Sequence, residues 1–211
     1  MKQRSILFII ALALSASGAA WGGNGQGKGN NSDPGRYEHS VLSLAEAEAL
    51  RFLREEEKLA RDVYLTLYKR WSLQIFANIS ESEQTHMDAV KNLLDKYRVE
   101  DPVLPQVGRF TNSELQAAFD QLVAQGGESL MAALHVGGFI EELDIGDLRE
   151  AEATTSREDI LNVYANLMRG SRNHLRAFVG QIEDRGVVYE AQVLIQEEVD
   201  AIVDSPMERG L

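Results

Sequence analysis

Between residues 40 and 205 the chain contains two prolines, Pro102 and Pro105, and almost no strand-like alternation of apolar and polar residues. Apolar residues instead recur every three or four positions, which is the spacing that aligns them along one side of an α-helix. Because proline interrupts helices, a stretch with a single proline-containing segment leaves room for long ones. The sequence therefore predicts an all-α protein.

Four long helices and two short ones are predicted from this spacing. The long helices cover residues 43–71, 73–97, 128–152 and 155–184, and the short ones cover residues 111–124 and 196–203. Both prolines fall in a loop before the first short helix, within the connection between the second and third long helices. Four amphipathic helices with otherwise short connections predict a four-helix bundle that this long connection can cross.

Capping boxes mark three of the predicted helix starts. In this motif a serine or threonine and a glutamate three residues later each accept a hydrogen bond from the other's backbone N–H. The pairs with this spacing are Ser43 with Glu46, Thr111 with Glu114, and Thr155 with Glu158.

The first twenty residues are predicted to be a secretory signal peptide. Lys2 and Arg4 precede an apolar run at residues 6–14, and small residues at 18–20 fit cleavage before Trp21. An uncleaved membrane anchor is the alternative, although the run is short for crossing a bilayer. We therefore expect an exported protein, periplasmic or secreted, with no membrane association once the signal peptide is removed.

Residues 21–39 are rich in glycine and asparagine and are predicted to be a flexible tether, because they cannot bury apolar surface. The folded domain is then expected over residues 40–206, a length that suits one hydrophobic core.

Composition narrows the chemistry. The chain has no cysteine, which excludes disulfides, thiolate metal sites and cysteine nucleophiles. The formal net charge is −12, and it becomes −14 when Lys2 and Arg4 are removed with the signal peptide. So acidic a surface argues against nucleic acid and anionic membranes as partners and is compatible with metal cations. Association as a homodimer is left open.

Polar residues occupy helix positions that the apolar spacing assigns to the core. Glu57 lies on the inner face of the first long helix, Glu83 and His86 lie one turn apart on the second, Glu141 lies on the third and His174 on the fourth. A buried carboxylate without a partner is costly, so such groups must be paired, protonated or bound to a cation. Carboxylate oxygens and imidazole nitrogens suit iron and manganese. These five residues are the predicted metal ligands.

Each of these residues also has an ordinary structural interpretation. A single glutamate on a helix is usually solvated. Residues 55–58 together with Arg61 fit a charged helix surface with ion pairs, an interpretation that we favour for Glu55. His39 and His135 are not predicted to be ligands, and Tyr64 is predicted to be a core residue. The coincidence of polar residues on four inner faces nevertheless favours a metal site.

Several stretches resemble a prokaryotic ferritin-like domain family of unassigned function, over residues 40–184. The stretches are REEEKLARDVY at 54–64, SEQTHMDA at 82–89 and GSRNHLRAF at 170–178. Glu57 followed by Ala60 and Tyr64 resembles the first ligand helix of rubrerythrin-like proteins, the Glu83-x-x-His86 pair resembles the second, and the acidic run 141–144 resembles the third.

The resemblance implies a ferritin-like four-helix bundle with a non-haem di-iron centre bridged by Glu83. Manganese is the alternative metal. The reaction class implied is oxidation or reduction of oxygen, peroxide or ferrous iron, by an oxidoreductase of the ferroxidase or peroxidase type.

One departure from the family pattern bears on the number of metal ions. The fourth helix of ferritin-like bundles gives a carboxylate one turn before its histidine, whereas this chain has Ser171 there. Asp144, Glu142 and Glu56 are candidates to replace it, or else one ion binds. The alternative function is therefore a non-enzymatic binding or interaction module with a structural metal, a single metal or none.

Overall fold

The structure is a computed structural model that describes residues 41–209. Within this range it contains six α-helices: α1 (Leu44–Trp71), α2 (Gln74–Tyr97), α3 (Ser113–Gly126), α4 (Leu130–Glu152), α5 (Glu158–Glu183) and α6 (Gln196–Val203). No strand is found among the described residues, so the all-α prediction is confirmed for them. The predicted signal peptide and tether lie outside the described residues and stay predictions.

The four long helices contact one another in a ring. Helix α1 packs against α2 and α4, and α5 packs against α4 and α2. Only Ser72 and Leu73 separate α1 from α2, and so short a link makes the two helices antiparallel neighbours. Helix α3 lies in the long connection between α2 and α4 and packs on both α1 and α4, while α6 packs on α5. The inner faces of four helices therefore meet in one interior.

An aromatic cluster fills part of that interior. The rings of Tyr64, Phe76 and Phe178 are buried, with centroids 5.3 to 6.3 Å apart. A Cβ atom at Gly137 would lie 2.4 Å from the Phe178 ring, so this position on α4 accommodates the ring only as glycine. The cluster joins α1, α2, α4 and α5 beside the polar residues described below.

The capping box at the start of α1 is confirmed. The Ser43 hydroxyl accepts a hydrogen bond from the backbone N–H of Glu46, and the Glu46 carboxylate accepts one from the N–H of Ser43. Glu46 also accepts hydrogen bonds from Thr155 and Arg157, which joins the start of α1 to the start of α5.

The other two predicted capping boxes are wrong. Helix α3 is capped by Asn112, whose side chain accepts from the N–H groups of the two residues after Ser113, because asparagine is at least as good a cap as threonine and stands one residue closer. Helix α5 begins after Arg157 without a side-chain cap. The Thr155 hydroxyl is engaged with Glu46 instead.

Within residues 41–209 no helix has the length and apolar character needed to cross a membrane.

Candidate metal centre

The fold brings together all five predicted metal ligands. Glu57 comes from α1, Glu83 and His86 from α2, Glu141 from α4 and His174 from α5, and all five are buried. Each lies on the inner face that helical spacing predicts. The arrangement offers three carboxylates and two imidazoles from four helices.

Glu83 occupies the centre of this group. Its Oε2 lies 2.8 Å from His86 Nδ1 and its Oε1 lies 2.7 Å from His174 Nδ1. Glu57 Oε2 is 3.2 Å from the first of these nitrogens, and Glu141 Oε2 is 3.4 Å from the second. The two imidazole rings lie 5.6 Å apart between centroids. Glu83 therefore reaches both histidines, with one carboxylate oxygen for each.

The group divides into two half-sites that share Glu83. The first consists of Glu57, Glu83 and His86, which all come from α1 and α2. The second consists of Glu83, Glu141 and His174, which come from α2, α4 and α5. Within each half-site the possible ligand atoms lie within 4.8 Å of one another.

The second half-site contains buried atoms without hydrogen bonds. Glu83 Oε1 and His174 Nδ1 lie 2.7 Å apart as an ion pair without hydrogen-bond geometry, and Glu141 Oε2 has no hydrogen-bond partner. Leaving one buried polar atom unsatisfied costs about 1–3 kcal/mol. A bound cation would satisfy Glu141 Oε2 and would replace the proton that His174 shares with Glu83, so the residues fit a metal ion.

Two neighbouring side chains, Tyr64 and Ser82, orient the predicted ligands Glu141 and His174. The Tyr64 hydroxyl donates to Glu141 Oε1 at 2.6 Å, which leaves Oε2 free to face His174. The Ser82 hydroxyl lies 2.9 Å from His174 Nε2 and fixes the ring through the nitrogen that faces away from Glu83. Partners of this kind determine which nitrogen of a histidine faces a metal.

Glycine and serine on α5 make room for the site. A Cβ atom at Gly170 would lie 2.4 Å from His86 Nε2, so any other residue there would displace this imidazole. Ser171 is buried, and its hydroxyl donates to the backbone carbonyl of Leu167. Sequence reasoning missed the role of Gly170, although an isolated glycine inside a helical pattern is itself a signal of close packing.

Burial and mutual charge shift the pKa values of the predicted ligands strongly. Burial raises the pKa of Glu57 to about 8, although His86 opposes the change. Burial would lower the pKa of His174, but the carboxylates of Glu83 and Glu141 raise it to about 10. Burial would likewise raise the pKa of Glu83, but His174 and His86 outweigh it and lower this pKa. The metal-free site therefore holds protons that a metal ion would displace.

Glu142 does not take part in this site. Its carboxylate accepts hydrogen bonds from the Tyr189 hydroxyl at 2.7 Å and from the backbone N–H groups of Gln192, Val193 and Leu194 at 3.0, 2.7 and 2.8 Å. These donors occupy both oxygens and fasten the segment between α5 and α6 to α4. Of the three candidates to replace a carboxylate at Ser171, this one is already engaged.

The charged surface favoured for Glu55 is wrong. Glu55 is 4% exposed and accepts hydrogen bonds from the N–H groups of Thr111 and Asn112. The long connection between α2 and α4 covers this side of α1, and the carboxylate anchors it just before α3.

Lys58 is buried in the same region. It forms an ion pair with Asp62 at the helical spacing of four residues, but this pair lies in the interior and not on the surface. Its Nζ lies 2.5 Å from Asp62 and donates to the carbonyls of Gln106 and Arg109 at 2.9 and 3.0 Å. Asp62 also accepts from the N–H of Gly108. We call Lys58, Asp62 and these loop partners the loop anchor.

The remaining histidines and Glu56 lie outside the group. His135 is half-buried and stacks on the Tyr189 ring, with centroids 5.6 Å apart, and burial lowers its pKa. His39 is not among the described residues. Glu56 is buried next to Asp147, and burial, together with the charge of Asp147 and a hydrogen bond to it, raises the pKa of Glu56 well above its usual range.

Comparison with known proteins places the chain in a family. The family model described as an uncharacterized protein domain, DUF2202, matches residues 46–206. The uncharacterized protein MJ0754 of Methanocaldococcus jannaschii is 53% identical over 171 residues, which cover 81% of this chain and 92% of the relative. The crystal structure of the hypothetical protein MJ0754 from Methanococcus jannaschii DSM 2661 superposes with a TM-score of 0.79 at 50% identity, covering 82% of this chain and 99% of the other. The chain therefore belongs to the DUF2202 domain family.

Proposed function

We propose that this chain is a ferritin-like four-helix-bundle protein that binds two metal ions through Glu57, Glu83, His86, Glu141 and His174. The observation that carries the proposal is the position of Glu83, which presents one carboxylate oxygen to each of two histidines in a buried interior. In the proposed site each half-site would hold one ion, and Glu83 would be shared between the two. The ring of four long helices supports the ferritin-like assignment.

Iron is the metal we propose, with manganese as the alternative. The donors are carboxylate oxygens and imidazole nitrogens, a mixed set that suits both metals. The chain has no cysteine, so ions that depend on thiolate ligands are disfavoured.

We further propose that the centre is redox-active and acts on oxygen, peroxide or ferrous iron in an exported protein. Bound iron would supply the change of oxidation state. The protein's own contribution is to hold the ligands in a buried site, to orient Glu141 through Tyr64, and to exclude water on one side through the aromatic cluster.

A second function, a binding module with a structural or single metal ion, is favoured by one observation. The Ser171 hydroxyl bonds the carbonyl of Leu167 and adds no ligand on α5 beyond His174. A centre with fewer ligands from α5 would hold one ion more firmly than the other.

Metal analysis tests the proposed centre directly. Full-length protein purified without chelators is expected to hold about two equivalents of iron or manganese. Glu83→Gln is expected to lose most of this metal, and Glu81→Gln, an exposed residue on the same helix, is expected to keep it. Less than about half an equivalent in the wild type, with no change in melting temperature on adding metal, would refute the proposal.

An assay on metal-loaded protein then separates the two functions. Oxidation of ferrous iron or consumption of peroxide by the loaded wild type, lost in Glu83→Gln, supports the redox centre. Full metal occupancy without turnover of oxygen, peroxide or ferrous iron supports the structural role.

A further inference from the structure

We infer that Asp144 is a sixth ligand of the proposed centre, so that α4 supplies two carboxylates. The inference rests on the proposed metal site and specifies which side chain completes it.

The hydrogen bonding of Asp144 is the first observation. Its side chain is buried, at 2% exposed, and neither carboxylate oxygen has a hydrogen-bond partner. Among the described residues it is the one acidic side chain with both oxygens buried and unpartnered. Because a buried carboxyl group without partners is strongly disfavoured, this side chain requires a ligand that the protein itself does not provide.

The position of Asp144 identifies that ligand. It lies one helical turn beyond Glu141, on the same face of α4. Burial raises its pKa well above the usual range, and so do the carboxylates of Glu56, Glu57, Glu141 and Glu83, in that order. Three of these four carboxylates belong to the proposed centre. Asp144 is not in either group of ligand atoms that lie within 4.8 Å of one another, so a bound cation would have to draw its carboxylate towards them.

The other buried acids near the centre are already engaged. Glu55 and Glu142 accept backbone N–H groups from loops, and Glu56 is hydrogen-bonded to Asp147. Of the side chains that could supply a further carboxylate in place of Ser171, Asp144 alone has both oxygens free.

Charge balance also favours this assignment. Two divalent cations carry one more positive charge than the three glutamates of the centre can offset, and both histidines bind metals as neutral ligands. Asp144 supplies the missing negative charge. A buried site is most favourable when its charges are fully compensated.

Titration of the metal-free, full-length protein with Mn²⁺ tests the inference. The wild type is expected to bind two ions, and Asp144→Asn is expected to bind one of them at least about tenfold more weakly, since removal of one ligand or its support typically costs metal affinity on this order. Asp147→Asn, one turn further along α4, is the matched control and is expected to bind both ions as the wild type does. Asp144→Glu, which keeps a carboxylate, is expected to recover part of the affinity.

Thermal unfolding shows whether the variants remain folded. Metal-free Asp144→Asn is expected to melt at or above the wild-type temperature, because a neutral amide replaces a carboxyl group surrounded by four others. Wild-type affinity for both ions in Asp144→Asn and in Asp144→Glu would overturn the inference and leave the proposed centre standing. A wild type that binds no Mn²⁺ and no iron would instead overturn the centre itself.

Discussion

Two adjacent residues of α4, Glu141 and Glu142, are both fully buried, and they face opposite surroundings. Glu142 accepts hydrogen bonds from a tyrosine hydroxyl and from three backbone N–H groups of the chain that follows α5. Glu141 has one oxygen bonded to Tyr64 and another, Oε2, that has no hydrogen bond and lies near His174.

The difference distinguishes buried acids that hold loops in place from the buried acids of the proposed metal centre. The loop anchor resembles the region around Glu142, because Asp62 is paired with Lys58 and Arg61 and accepts a hydrogen bond from the N–H of Gly108. Around Glu141 the neighbours are carboxylates and histidines, whose mutual charges the protein compensates only in part. A buried acid saturated with N–H donors stabilises the fold, whereas a buried acid with an open oxygen is available for a cation.

The largest effect is expected from disrupting the loop anchor. Lys58→Met removes three charged hydrogen bonds, to Asp62 and to the carbonyls of Gln106 and Arg109, and leaves Arg61 as the remaining counter-charge of Asp62. We expect a loss of about 3–5 kcal/mol in the free energy of unfolding. Lys91→Met removes an ion pair of the same helical spacing on the exposed surface of α2, and should cost at most about 1 kcal/mol. Chemical denaturation with and without metal measures both, and a loss for Lys58→Met that depends on metal would contradict a purely structural role.

The next prediction compares the same substitution at the two neighbouring glutamates of α4, Glu141 and Glu142. Glu142→Gln should lower the free energy of unfolding by about 2–3 kcal/mol, because charged hydrogen bonds to the segment after α5 are lost, and it should leave metal affinity unchanged. Glu141→Gln should weaken metal binding at least about tenfold and change the stability of the metal-free protein by less than about 1 kcal/mol. Metal titration and chemical denaturation of both variants measure these changes. If both variants lost stability and metal affinity to the same extent, the two glutamates would not differ in role.

The stability that the residues around Glu141 give to the metal-free protein should also depend on pH. The pKa of His174 is raised from 6.5 to about 10, so its contribution to the stability of the metal-free protein is full below pH 6.5 and is lost as the pH rises towards 10. The pKa of Glu57 is raised from 4.5 to about 8, so its contribution to stability is likewise lost as the pH rises between these two values. A metal ion bound at the proposed centre would displace these protons.

The melting temperature of the metal-free protein is therefore expected to fall from pH 6.5 to pH 8, while the increase caused by metal grows. Thermal unfolding at several pH values, with and without Mn²⁺, checks this expectation. A metal-induced increase that shrinks over this interval would show that protons do not compete with the metal at these residues.

The smallest effect is expected for Tyr64→Phe. It removes the hydrogen bond to Glu141 and should cost about 1 kcal/mol of stability, together with a few-fold loss of metal affinity through poorer orientation of the carboxylate. Tyr97→Phe removes a comparable bond to Asp159 far from the ligands and should leave metal affinity unchanged. Equal affinities in the two variants would show that Tyr64 has no orienting role.

The helices and the five converging residues could be predicted from sequence because both depend on contacts within a few turns of one helix. Glu57, Glu83 and His86 lie on the inner face by spacing alone, so their meeting followed from packing the helices together. Glu55 could not be predicted in this way, since its partner Thr111 lies 56 residues further along the chain. The role of Glu142 could not be predicted for the same reason, because the backbone N–H groups that it binds lie about 50 residues further along the chain.

The two half-sites also differ in when they can exist during folding. Glu57 and His86 are 29 residues apart, and with Glu83 they belong to the hairpin of α1 and α2, so the first half-site closes when that hairpin forms. The second half-site needs α4 and α5 as well, and 92 residues separate His174 from Ser82, which orients it. In the proposed centre, the hairpin of α1 and α2 would therefore be enough to offer the first half-site, while the second would form only after α4 and α5 have docked. The order of the helices along the chain would then set the order in which the proposed centre acquires its two ions.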